Sequence, residues 1–186
     1  MAALTRRRFN QAIGFGTFAF LLGNERKLLT PAQAFEQRSA FEVLSEAEVG
    51  TLEALAEVLL PGSRKSGVAH FVDNQLAADD HDSLLMIRYF AVPKPFRDFY
   101  HGGLAALNSA ARAQFNADFA SLEPLRQEKL VVDMSREGIL DWRGPPQSFF
   151  YFLVRNDAID VVYGTVEGFE ALGIPYMPHI LPPALV

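Results

Sequence analysis

The chain has 186 residues, 49% of them hydrophobic, which suits one domain with a real core and falls short of two ordinary domains. Its formal net charge is −5, so it lacks the surplus of Lys and Arg that neutralises nucleic-acid phosphate or an anionic membrane, and no nucleic-acid partner is expected. It contains no cysteine, which excludes disulfides, thiolate metal sites, iron–sulfur clusters and covalently attached c-type haem in this chain.

Residues 1–34 read as an export leader. Arg6, Arg7 and Arg8 form a basic stretch, Ile13 to Leu22 an apolar run, and Ala32-Gln33-Ala34 a small-residue cleavage site before Phe35. An apolar run of ten residues makes about 15 Å of helix, well short of the ~20 residues that span a bilayer, so membrane association is expected only indirectly. The alternative is an amphipathic first helix of the folded domain, but Ile13 to Leu22 offers almost no polar face. Thr5-Arg6-Arg7-Arg8-Phe9 resembles the twin-arginine export motif, with Arg6, Arg7 and Phe9 at its defining positions; Asn10 and Gln11 depart from its usual Leu and Lys. That route carries folded proteins, which makes the twin-arginine machinery an expected partner and the periplasm the expected location. Without its leader the chain keeps twelve cationic and twenty-one acidic side chains, a net charge of −9.

From Ser45 the sequence turns helical. Ser45 and Glu48 form a capping-box pattern ahead of Val49, Leu52, Leu55, Ala56 and Leu59, and Pro61-Gly62 ends the segment. Val68, Phe71, Val72 and Leu76 predict a second helix, and a polar Asp79-Asp80-His81-Asp82 stretch separates it from a third over Leu84–Phe90. Pro93 and Pro95 stop that one, because proline lacks an amide donor and restricts the residue before it. Phe96, Phe99, Tyr100, Leu104 and Leu107 predict a helix from Phe96 to about Asn108, weakened by Gly102-Gly103, and a short piece carries Phe115 and Phe119. Next comes a helix with Ser121 as cap, Pro124 in its first turn and Gly138 past its end.

Pro145-Pro146 introduce the most apolar helix after the leader, closed by Gly164, which is expected at the buried centre. A short helix near Val166 to Leu172 ends at Gly173, and the tail from Ile174 has four prolines, at 175, 178, 182 and 183, that hold it extended. No stretch alternates like a strand over more than a few residues. The expected fold class is all-α: a small irregular helical bundle over 35–173 with an extended tail over 174–186.

Chemistry is sparse. His70, His81, His101 and His179 are scattered, with no second histidine three or four residues away, so no helical metal pair is encoded. Asp79 to Asp82 lacks the ligand alternation and central glycine of a calcium loop and reads as a solvated turn. Arg155, Asn156, Asp157 and Asp160 interrupt the apolar helix and read as a solvent-facing stripe or an intrahelical ion pair. There is no nucleophile motif, phosphate loop or dinucleotide fingerprint, and no catalytic, cofactor-binding or metal-ligating residue is assigned. What stands out is aromatic surplus. Phe149, Phe150, Tyr151 and Phe152 are consecutive on one helix and point in every direction around it, which leaves either a face for a partner or a helix buried all round. The tail poses the same choice: Tyr176, Met177, Pro178 and Ile180 lie against a partner or fold back on the bundle. Phe149, Phe150, Tyr176, Met177, Pro178 and Ile180 are the candidate partner-binding residues.

The segment from Thr51 to Gly62 with Gly67 and Phe71-Val72-Asp73, then Phe115, Phe119 and Leu122, then the stretches 149–164 and 171–178, resembles the gluconate 2-dehydrogenase subunit 3 family. The resemblance implies a noncatalytic small subunit that escorts and stabilises a large FAD-dependent subunit of the glucose-methanol-choline type. It also implies a multihaem cytochrome c as electron acceptor, and a complex at the periplasmic face of the inner membrane. FAD and haem would then belong to those partners. Two other readings remain: a small periplasmic enzyme or ligand-binding or metal-binding protein using Asp79 to Asp82 or Arg155 with Asp160, and a free-standing structural protein.

Overall fold

The computed structural model describes residues 16–164 and 166–174. It is predominantly helical, in agreement with the expected class, with one small hairpin. In chain order the elements are β1 (Phe18–Leu22), β2 (Glu25–Leu29), α1 (Pro31–Glu36), α2 (Glu46–Leu59), α3 (Val68–Ala77), α4 (Phe96–Phe115), α5 (Pro124–Ser135), α6 (Gln147–Tyr163) and α7 (Val166–Ala171). Single 3-10 turns occur at Met86–Tyr89 and Phe119–Ser121. The tail, with Tyr176, Met177, Pro178 and Ile180, and the leader residues Arg6, Arg7 and Phe9 lie outside the described residues.

The capping box at Ser45 forms: the Glu48 amide donates to the Ser45 hydroxyl, and the Ser45 amide donates to the Glu48 carboxylate at 2.9 Å. Two free donors of the first turn are thereby satisfied. Helix α2 buries Leu52 and Leu55 completely, and α3 does the same with Val68 and Val72. Between them Gly67 sits at φ 78°, and a Cβ there would stand 2.0 Å from the carbonyl oxygen of Pro31, so only glycine admits this crossing of backbones.

Helix α6 is the centre. Phe150, Leu153, Val154, Ala158 and Val161 are buried on it, and it lies against α2, α3, α4, α5 and α7. Its approach to α4 is set by Gly103, where a Cβ would meet the Phe150 ring at 2.3 Å. At the start of α6, the buried Gln147 side chain closes a reciprocal pair with the Ile139 backbone, at 3.0 and 2.9 Å.

Four expectations are corrected. The helix over Leu84–Phe90 is only the turn Met86–Tyr89, because Leu85 and Ile87 are fully buried and a continuous helix would not send both inward. Helix α4 does not stop near Asn108 but continues to Phe115, since Ala110 and Ala111 prolong the buried stripe of Leu104 and Leu107 and the helix ends only where Asn116 turns left-handed at φ 55°. Ser121 closes the 3-10 turn, and Glu123 is the N-cap of α5, with no side-chain cap bond. Finally, a hairpin forms where no strand was expected. Phe18 pairs with Leu29 and Phe20 with Lys27 around a Gly23-Asn24 turn, and Phe20 and Leu29 are buried with Ala34 of α1.

Candidate partner-binding surface

Phe149, Phe150, Tyr151 and Phe152 have divergent fates. Phe150 is fully buried against Phe99 and Trp142, with ring centroids 6.0 and 6.4 Å away, so it serves the domain's own core and offers nothing to a partner. Phe149 is half-buried and touches Phe99 at 5.6 Å. Phe152, one turn further out, is 38% exposed.

The face they make is completed from a distant segment. Phe90 packs edge-on to Phe149 at 5.1 Å and to Phe152 at 5.8 Å, while Phe149 and Phe152 lie nearly parallel at 6.4 Å. Edge-to-face contacts of this kind contribute about 0.5–1.5 kcal/mol beyond area burial, enough to hold exposed rings in one arrangement. Beside them Tyr89 is 73% exposed with the Arg88 guanidinium 5.5 Å above its ring, and Leu84 is exposed too. Leu85 and Ile87 are buried between these outward residues, so this run alternates in and out.

Polar bonds fix the run. Arg88 donates to the carbonyls of Ser83 at 2.7 Å and His81 at 3.1 Å, and the buried Gln75 side chain accepts the Leu84 amide at 2.8 Å. Beneath lies Asp157, expected on a solvent-facing stripe or in an intrahelical ion pair but fully buried, where its carboxyl accepts from the Met86 amide at 3.1 Å and the Tyr100 hydroxyl at 2.5 Å. Burial pushes that carboxyl up to about 7, against the lowering by its two hydrogen bonds. Burial likewise drives the Tyr100 hydroxyl well above its ordinary value, helped by the adjacent carboxyl. Neither side chain reaches solvent, so the pair acts as a fastener under the aromatic face. Arg155 and Asp160, by contrast, are exposed.

Asp79 to Asp82 forms a turn closed on itself: the Asp79 carboxylate accepts the His81 amide at 2.9 Å, and the Asp79 carbonyl accepts from Asp82 and Ser83. Among the described residues no group of three or more His, Asp or Glu side chains is placed to hold a metal ion. Nor, among them, is any helix long and apolar enough to cross a membrane. At the other end of the domain, Ala34 is fully buried in α1 and Ala32 is half-buried.

The junction role of three residues was not readable from the sequence: Asp73, whose carboxylate accepts the amides of Glu42, Val43 and Leu44, Tyr100, expected only on an apolar helix face, and Asp157. A signal for Asp157 existed, because it stands on the same helical stripe as Phe150, Leu153, Val154 and Val161, where a carboxylate must find a partner.

The gluconate 2-dehydrogenase subunit 3 family model matches residues 46–179. No curated protein and no solved structure matches the chain.

Proposed function

The chain belongs to the gluconate 2-dehydrogenase subunit 3 family, and from that premise we propose that it is a noncatalytic small subunit that binds, stabilises and co-exports an FAD-dependent catalytic subunit. The partner is a flavoprotein of the glucose-methanol-choline type that oxidises a sugar or other alcohol, with a multihaem cytochrome c as electron acceptor. The leader, through Arg6, Arg7 and Phe9, addresses the assembled pair to the twin-arginine machinery, and the complex works at the periplasmic face of the inner membrane.

The observation that supports this reading best is the fixed aromatic face of Tyr89, Phe90, Phe149 and Phe152, in which three phenylalanine rings from two distant segments pack on one another at the surface. Preordered aromatic side chains lose little conformational entropy on binding and are the residue type that dominates interface energetics. The tail residues Tyr176, Met177, Pro178 and Ile180 are proposed to extend the same contact.

The test is recovery of the flavoprotein with the tagged full-length chain from the periplasmic fraction of its host, read by mass spectrometry and flavin absorbance. Phe90→Asp combined with Phe152→Asp is expected to lower recovery per folded chain at least about tenfold, the loss of one to two hot-spot contacts, and to lower the melting midpoint by a few degrees through the lost ring contacts without unfolding the domain at the assay temperature. Undiminished recovery by the double variant refutes the assigned face.

A further inference from the structure

The N-terminal arm supports an inference that goes beyond partner binding and does not rest on it. We infer that residues 18–36 are a permanent part of the folded domain, so that the Ala34–Phe35 bond stays uncut and any processing of the leader falls before Phe18.

The reason begins at the bond itself. Ala34 lies inside α1; its amide donates to the Thr30 carbonyl at 2.9 Å and its carbonyl accepts the Ser39 amide at 3.0 Å. Its side chain has no exposed surface. A peptidase takes its substrate as an extended strand, with the backbone free to pair. Offering Ala32 to Phe35 in that form requires unwinding α1 and breaking the capping box in which Thr30 and Gln33 exchange bonds at 3.0 and 3.2 Å. It also requires pulling Ala34 out of a core shared with Phe20 and Leu29.

That core is anchored to the bundle at four independent places. The Asn74 amide group donates to the Ala19 carbonyl at 2.9 Å, and the Ala40 amide to the Leu21 carbonyl at 2.9 Å. Phe18 packs edge-on to Phe71 at 5.5 Å. The Pro31 carbonyl occupies the space that a side chain at position 67 would fill. Removing residues 18–34 would strip all four and uncover Phe71 and His70, both buried on α3. The family match begins at Glu46, so this arm lies outside the matched region. Phe18 to Leu22 are also half of the leader's apolar run, and in the folded protein the hairpin keeps them.

The experiment uses the purified full-length chain and elastase, which cleaves after alanine, with a free peptide of residues 28–40 as the unprotected reference. Cleavage after Ala32 and Ala34 is expected to be at least roughly 100-fold slower in the folded chain than in the peptide. Phe20→Asp, which puts a charge into the arm's core, is expected to recover most of the peptide rate. Cleavage of the wild-type chain at the peptide rate overturns the inference, as does undiminished protection in Phe20→Asp. A second measurement does not depend on the variant folding: intact mass of the chain recovered from its host. An N-terminus at or before Phe18 supports the inference, and one at Phe35 or anywhere between overturns it. Both readouts are independent of flavoprotein recovery, so the inference and the partner reading can fail separately.

Discussion

Asp157 concentrates the electrostatics of the molecule in one side chain. An aspartate in the unfolded chain titrates near 3.9, whereas burial raises this one to about 7. Between those values the folded chain holds a proton that the unfolded chain has released. Its contribution is therefore fully present below about pH 4 and is lost as pH rises toward 7, at no more than about 1.4 kcal/mol per pH unit. His70 opposes it. Burial lowers its pKa, against the raising by the Ser39 backbone and the Asp73 carboxylate, so its contribution is present above the ordinary histidine range and is lost on acidification. The wild-type curve alone mixes the two, and Asp157→Asn separates them. The stability of wild type relative to Asp157→Asn, measured by urea unfolding at pH 4.5 and 7.5, is expected to fall with rising pH; a difference that does not change between those values refutes the assignment.

At the scale of elements, the crossing of α4 and α6 rests on a missing methyl. Alanine at position 103 gains about 0.8–1 kcal/mol of helix propensity, yet its Cβ would stand 2.3 Å from the ring of a fully buried phenylalanine. Overpacking typically costs about 1–3 kcal/mol, so the clash wins and Gly103→Ala is expected to lower the melting midpoint by several degrees. Adding Phe150→Leu frees the space, and the double variant is expected to lose less than the sum of the two single losses. Strict additivity in thermal melts is the outcome that sinks this account.

The elements also show where sequence was sufficient. The helices α2, α3 and α6 were legible because apolar spacing ran through each and breakers bounded it: the Ser45 capping box and Pro61-Gly62 around α2, Gly67 before α3, and Pro145-Pro146 and Gly164 around α6. The length of α4 was not, since beyond Asn108 its buried stripe is carried by Ala110 and Ala111, whose small side chains give a weak periodic signal. The hairpin was missed for a different reason: Phe18, Phe20 and Leu22 alternate around Gly23-Asn24, a good two-residue turn, but the same residues also make an apolar run behind three arginines. Of the candidate surface, Phe149 was legible and Phe90 was not, because the two are joined only by tertiary folding.

Across the whole molecule, exposed apolar side chains are not confined to the aromatic face; Leu125 is 80% and Leu140 86% exposed. Single exposed leucines are ordinary, whereas the fixed cluster of rings is the feature on which the proposed contact rests. A partner that binds only the folded chain stabilises it by mass action, by about 2.7 kcal/mol at a hundredfold excess over Kd. The melting midpoint of the full-length chain is therefore expected to rise when the flavoprotein is added, and the rise should vanish for the Phe90→Asp, Phe152→Asp double variant. No shift for the wild-type chain under conditions where the two proteins co-purify would contradict this linkage.

Asp73, Asn74 and Gln75, three neighbours on α3, reach three separate parts of the chain. The Asp73 carboxylate accepts the amides of Glu42, Val43 and Leu44 at 2.8, 2.9 and 2.8 Å; Asn74 holds the hairpin at Ala19, and Gln75 holds the segment under the aromatic face at Leu84. Successive residues turn about 100° around a helix, so these bonds leave it in three directions. If α3 rotated by a single residue, its apolar side chains would find other apolar neighbours at modest cost, but all three polar attachments would break together. The helix thus has one permitted rotational setting, and misfolded packings that merely bury enough hydrocarbon are rejected by three adjacent side chains.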